Sequence, residues 1–152
     1  MKAGEHHLRI EELGRLAQAH GRGRGLGLRR LVAAGLDRLP LPASGRTMER
    51  WRMLGEVAAL DLSLAKLVEG HVDALAILAE LGGPQPEAGS LWGAWCAEPP
   101  DARLQIREAG PSHVRLSGRK AWCSGAAELT HAILSGWTAH GEPRVGAGPL
   151  LE

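Results

Sequence analysis

The stretch Leu62-Ser63-Leu64-Ala65-Lys66-Leu67-Val68-Glu69-Gly70-His71-Val72-Asp73-Ala74-Leu75-Ala76-Ile77-Leu78-Ala79-Glu80-Leu81-Gly82-Gly83-Pro84 decides the fold class. Leu64, Leu67, Val68, Val72, Leu75, Leu78 and Leu81 recur at the 3.6-residue rhythm of an amphipathic helix. Asp61 or Ser63 can cap its start, and Gly82-Gly83-Pro84 closes its end, because glycine reverses the chain and proline cannot continue a helix. Before this stretch the hydrophobic period is helical; after it the period shortens to two. One long helix thus ends a helical front half and opens onto strands.

Working outward towards the amino terminus, Thr47 can cap a shorter helix whose apolar stripe is Leu54, Val57, Ala58 and Leu60. Leu28 to Leu39 predicts another helix, stopped by Pro40 and Pro42. Gly21-Arg22-Gly23-Arg24-Gly25-Leu26-Gly27 is too glycine-rich to stay helical and reads as a linker. It follows a helix pattern rather than a strand, so it is not a dinucleotide-binding turn. Glu5 to His20, with Ile10, Leu13, Leu16 and Ala17 in helical spacing, predicts one more amphipathic helix.

Downstream, Leu91–Glu98, Arg103–Glu108, His113–Ser117, Lys120–Ser124 and His131–Trp137 read as short strands. Arg103-Leu104-Gln105-Ile106-Arg107 and His113-Val114-Arg115-Leu116 alternate, as expected of a sheet with one wet face. Gly141 to Glu152 carries little β-pattern and reads as a broken end. The expected class is α+β: a helical amino-terminal subdomain over residues 1–83 and a partial antiparallel β-domain over 84–152, truncated.

Composition narrows the function classes. The net charge of +1 supplies no field for nucleic acid or an anionic membrane, so neither is expected as a partner. No run of some 18 apolar residues and no signal-peptide pattern occurs, which favours a cytoplasmic setting. Two cysteines, Cys96 and Cys123, do not make a disulfide framework. With His113 and His131 they do not match zinc-ligand spacing, and no metal site is expected. His71 on the long helix reads as a packing residue. Asp61, Glu69 and Asp73 read as a solvated helix face. No nucleophilic Ser/His/Asp or Cys/His arrangement is visible.

Two segments carry a resemblance. Trp92-Gly93-Ala94-Trp95-Cys96-Ala97-Glu98-Pro99 is similar to the strand and turn ending in Thr-Glu-Pro of acyl-CoA dehydrogenases. Leu116-Ser117-Gly118-Arg119-Lys120-Ala121-Trp122-Cys123-Ser124-Gly125-Ala126 resembles that family's Leu-Asn-Gly-x-Lys-x-Trp-Ile-Thr-Asn segment. They stand in the family's order, with room for a hairpin between them. Upstream, Ala58-Ala59-Leu60-Asp61-Leu62-Ser63-Leu64-Ala65 resembles its Ala-Arg-Ala-Asp-x-Ser-x-Ala helix pair. The likeness covers roughly Arg46 to Trp137.

The resemblance implies an FAD flavoprotein that dehydrogenates acyl-CoA thioesters at the α,β position and passes electrons to an electron-transfer flavoprotein. It implies that backbone groups of Trp95, Cys96 and Ala97 border the flavin ring, that Trp122 lies against it, that Ser124 stands where a Thr donates near flavin N5, and that Cys123 between them belongs to the same cofactor-binding segment. A hydride acceptor needs such a flat, water-poor slot with a few placed donors. The chain departs from the pattern at Ala97, where the family has Thr. It departs again at Pro100-Asp101-Ala102, where the family has a Gly-x-Gly-Ser-Asp run at the cofactor phosphates. The family's catalytic Glu belongs to a carboxy-terminal helical bundle, and no residue here is assigned its role. The expectation is a fragment without turnover of its own. Two other readings stand beside it. One is a non-catalytic, possible homo-oligomeric module pairing through the Leu62–Leu81 helix; the other is a related flavin oxidase or monooxygenase.

Overall fold

The computed structural model describes residue 12, residues 24–111 and residues 113–150. The helix expected over Glu5–His20 lies outside the described residues, apart from Glu12. Three longer helices come first: α1 Arg24–Ala33, α2 Thr47–Leu60 and α3 Leu62–Glu80. Five strands follow: β1 Trp92–Trp95, β2 Leu104–Gly110, β3 His113–Gly118, β4 His131–Trp137 and β5 Pro143–Pro149. The α+β layout is the one the sequence predicts.

The helix starting at Arg24 takes in Gly25 and Gly27, which the sequence assigned to a linker, and it stops at Ala33 rather than Leu39. Burial of Leu28 and Leu31 offsets the cost of about 1 kcal/mol per helical glycine. Gly35, at φ +68, ends the helix well before Pro40. Its N–H donates to the Val32 carbonyl and the Leu36 N–H reaches back to Leu31, both at 2.9 Å.

Helix α2 begins at Thr47 itself, with Arg46 preceding it and no side-chain cap. The Arg46 guanidinium instead grips the Glu49 carboxylate, at 2.7 Å. The buried stripe of α2 is Arg50, Met53 and Val57 rather than the expected Leu54, Val57, Ala58 and Leu60. Arg50 is buried with its charge paired: one terminal guanidinium nitrogen donates to the Pro40 carbonyl at 3.2 Å, the other to Asp73 at 2.6 Å. Asp73 on α3 is therefore an inter-helix ion-pair partner, not part of a merely solvated face. Asp61, alone between α2 and α3, caps α3 by accepting the N–H groups of Ser63 and Leu64 at 2.7 and 2.9 Å.

The sheet is mixed, where the sequence predicted antiparallel pairing. Strand β4 is its hub. It runs parallel to β1 (Trp92 opposite His131 through Trp95 opposite Leu134) and touches β2 in parallel at Gln105 opposite Trp137. On its other side it pairs antiparallel with the whole of β5. Strands β2 and β3 form an antiparallel hairpin with a bulge between Glu108 and Gly110. The segment read as a broken end is thus mostly strand β5. Its glycines and prolines hid it, and they are tolerated because β5 is an exposed edge. Lys120–Ser124, expected as a strand, is a turn-bearing loop.

The core forms around α3. Leu64, Leu67, Val68 and Val72 pack with Leu28, Leu31 and Leu36 from the α1 region and Met53 and Val57 of α2. Leu91, Trp95, Leu129 and Ala132 close it from the strand side. Further along, Ala74 and Leu78 meet Trp92 and Ile133. The apolar face of α3 is covered by elements of the same chain. His71 is buried at the junction: its Nδ1 accepts the Trp92 backbone N–H at 3.0 Å, and its Nε2 lies 3.4 Å from Asp37. Both ring nitrogens are engaged, as expected of a packing histidine. Among the described residues, no helix is long and apolar enough to cross a membrane.

Candidate functional site

Two segments meet at the carboxyl end of β1. One is Trp95–Glu98, leaving the strand; the other is the loop Lys120–Ser124. They are tied at two places. The Trp95 indole N–H donates to the Ser124 carbonyl at 3.2 Å. Further along, Lys120 Nζ lies 3.3 Å from a Glu98 carboxylate oxygen and 2.8 Å from both the backbone carbonyl and the hydroxyl of Ser135 on β4.

That second tie is a network. The Ser135 hydroxyl lies 2.7 Å from Glu98 Oε1 and 3.1 Å from the Cys96 carbonyl. The Trp137 indole N–H donates to the other Glu98 oxygen. The Lys120 side chain is only 6% exposed, so its charge needs these partners. Glu98 is held below the ordinary carboxylate range, chiefly by the Ser135 hydroxyl and then by Trp137 and Lys120, with burial opposing. The Lys120–Glu98 ion pair thus joins the two segments.

Between the ties the six residues expected at the site fall into two groups. Trp95, Cys123 and Ser124 come together: Trp95 is buried in the main core, and Cys123, half-buried, packs against that core. The other three face outwards. Cys96 is exposed, Ala97 half-buried, and Trp122 stands 74% exposed. Trp122 adopts φ +56, a left-handed conformation unusual for a bulky residue. Burial pushes the Cys123 thiol up, with Lys120 pulling it partly back. The thiol is protonated at neutral pH and is no nucleophile.

Beside Ser124 opens a cavity of about 380 Å³, lined by Ser63, Lys66 and Leu67 of α3 and by the loop from Ser124 to Glu128. Gly125 makes the turn possible at φ +74, where a Cβ would sit 2.5 Å from Leu67. Ser124 lines this cavity, and two residues before it the Trp122 indole is exposed; an indole face and a hydroxyl are the groups that one side of a flat, hydrogen-bonding ring needs. The turn after Glu98 does not fit phosphates. Pro99 and Pro100 have no N–H, and the Ala102 N–H is spent on the Pro99 carbonyl at 3.1 Å.

Sequence reasoning quoted Glu98 and Lys120 within the two motifs but gave neither a role, and it assigned no site role to Ser135, Trp137, Ser63 or Lys66. A buried lysine facing a Glu-Pro turn was the available signal. The partnership spans 22 residues, and no local periodicity reports it.

No family model matches the sequence, and no curated protein matches it. Among solved structures the chain is similar to methanesulfinate monooxygenase MsuC from Pseudomonas fluorescens, with a TM-score of 0.59 and 20% identity. The match takes in 95% of this chain and 41% of that one, so the chain spans less than half the length of the protein it matches. The likeness shows a shared fold over that part.

Proposed function

We propose that this chain is an acyl-CoA dehydrogenase-like flavoprotein scaffold whose loop Lys120–Ser124 holds one side of the isoalloxazine ring of FAD. The observation that carries the reading is the side-by-side fixing of the two motif-bearing segments. Trp95 is bonded to Ser124 and Glu98 to Lys120, and Trp122 is left as an open indole between them. A water-poor wall and a hydroxyl donor are what a hydride-accepting ring requires of a protein. The bound flavin would supply the redox chemistry. The chain's own residues would orient the ring and exclude water from one face.

In the family that the motifs resemble, the reaction is α,β-dehydrogenation of an acyl-CoA, with an electron-transfer flavoprotein as acceptor. Both enter here as proposed partners. The fold likeness to a monooxygenase favours a second reading, in which the same ring position serves a flavin oxidase or monooxygenase. By itself the chain is expected to lack turnover, since among the described residues none is assigned the role of the family's general base.

The test is purification with FAD, gel filtration and a visible absorption spectrum. Retained flavin that is lost on changing Trp122 and Ser124 to Ala supports the reading. A colourless folded protein overturns it.

A further inference from the structure

The outer face of the β2–β3 hairpin carries a charge arrangement that the fold does not need. Arg107 and Arg115 are register partners, so their side chains leave the same face of the hairpin about 5 Å apart at Cβ. Both are exposed. Like charges directly opposite one another destabilise an antiparallel pair. Just before β2 begins, four residues back from Arg107 and roughly 13 Å away, Arg103 lies on the same face. Its guanidinium rests 4.8 Å from the centre of the Trp137 ring. Among the described residues, none of these three arginines forms an ion pair. Between them stand Gln105 and Ser117, register partners of each other, with hydrogen-bonding capacity suited to peptide amides.

The geometry points to a docking surface for an extended acidic protein segment, read by Arg103, Arg107 and Arg115. Its length exceeds a single phosphate or carboxylate, and guanidiniums pair with carboxylates through two parallel hydrogen bonds. A single-stranded nucleic acid fits less well. The aromatic ring on this face, Trp137, is already covered by Arg103, which leaves no platform for a base.

The substitution Arg115→Glu separates docking from simple solvation of the hairpin. It replaces a repulsive cross-strand pair by an attractive one, so the melting temperature should rise or hold. At the same time, binding of a fluorescent twelve-residue peptide of alternating Glu and Ser, measured by anisotropy in 50 mM salt, should weaken at least about 20-fold. The parent's affinity for that peptide should also fall as salt rises to 300 mM. The proposal is overturned if the parent does not bind the peptide, or if Arg115→Glu binds it as well as the parent does. Tighter binding of a single-stranded oligonucleotide of equal charge overturns it as well.

Discussion

The indole N–H of Trp95, on a strand of the core, donates to the backbone carbonyl of Ser124, 29 residues on, and so sets where the loop Lys120–Ser124 lies. Trp95→Phe keeps most of the ring's packing and removes only this bond. The expected cost is about 1 kcal/mol of stability, read as a lower denaturant midpoint at unchanged slope. Flavin retention should fall along with it, because the loop loses its anchor.

Glu98 links acid stability to the site. Its carboxyl is held below the usual value of 4.5, first by the Ser135 hydroxyl. A depressed carboxyl contributes stability that is present above its unfolded-state value and lost as pH falls through its folded-state value. The parent should therefore lose stability steadily below about pH 4.5, and Glu98→Gln should show a flatter curve over that interval. Urea melts at half-unit pH steps would show it; parallel curves would remove Glu98 from the account.

Trp122 is costly where it stands, at φ +56 and 74% exposed. Asparagine tolerates that conformation better, so Trp122→Asn should leave stability within about 0.5 kcal/mol of the parent or raise it. Flavin retention should drop at least about tenfold, as an aromatic wall is lost. Loss of fold instead would mark Trp122 as structural.

Gly118 opens the motif Gly118-Arg119-Lys120 at φ +111. A Cβ there would lie 2.4 Å from the Arg103 carbonyl, a backbone atom unable to yield. Gly118→Ala should cost about 2–4 kcal/mol, seen in the thermal midpoint, and loosen the β2–β3 hairpin in hydrogen exchange.

The helical half was legible where apolar spacing and termination agreed. Helix α3 runs Leu62–Glu80 as its leucine rhythm and Gly82-Gly83 stop require, and β4 spans the expected His131–Trp137. Propensity misled where burial overrode it. Gly25 and Gly27 entered α1, and Arg50 took an inward position because Pro40 and Asp73 satisfy its charge. Strand β5 left no trace in the alternation, since an exposed edge imposes none. Lys120–Ser124 looked strand-like, but Lys120 turns inward to Ser135 and Trp122 turns left-handed, which ends any ladder. The motifs brought the site's residues to attention. The Glu98–Lys120–Ser135 bonds between them, and the parallel pairing of β1 with β4, join residues too far apart along the chain for pattern to reveal.

The hub position of β4 also dictates an order of assembly. β1 has no sheet partner until His131–Leu134 exist, so as the chain grows from its amino end it must wait through the whole β2–β3 hairpin before it can be covered. Only the helices and the β2–β3 and β4–β5 hairpins can form from neighbours alone. The sheet closes in one late event, when β4, with β5 folded back beside it, arrives and recruits β1 and the end of β2 on its other side. Closing so long a loop is slow, and the half-made sheet before that moment is where misassembly would strike first.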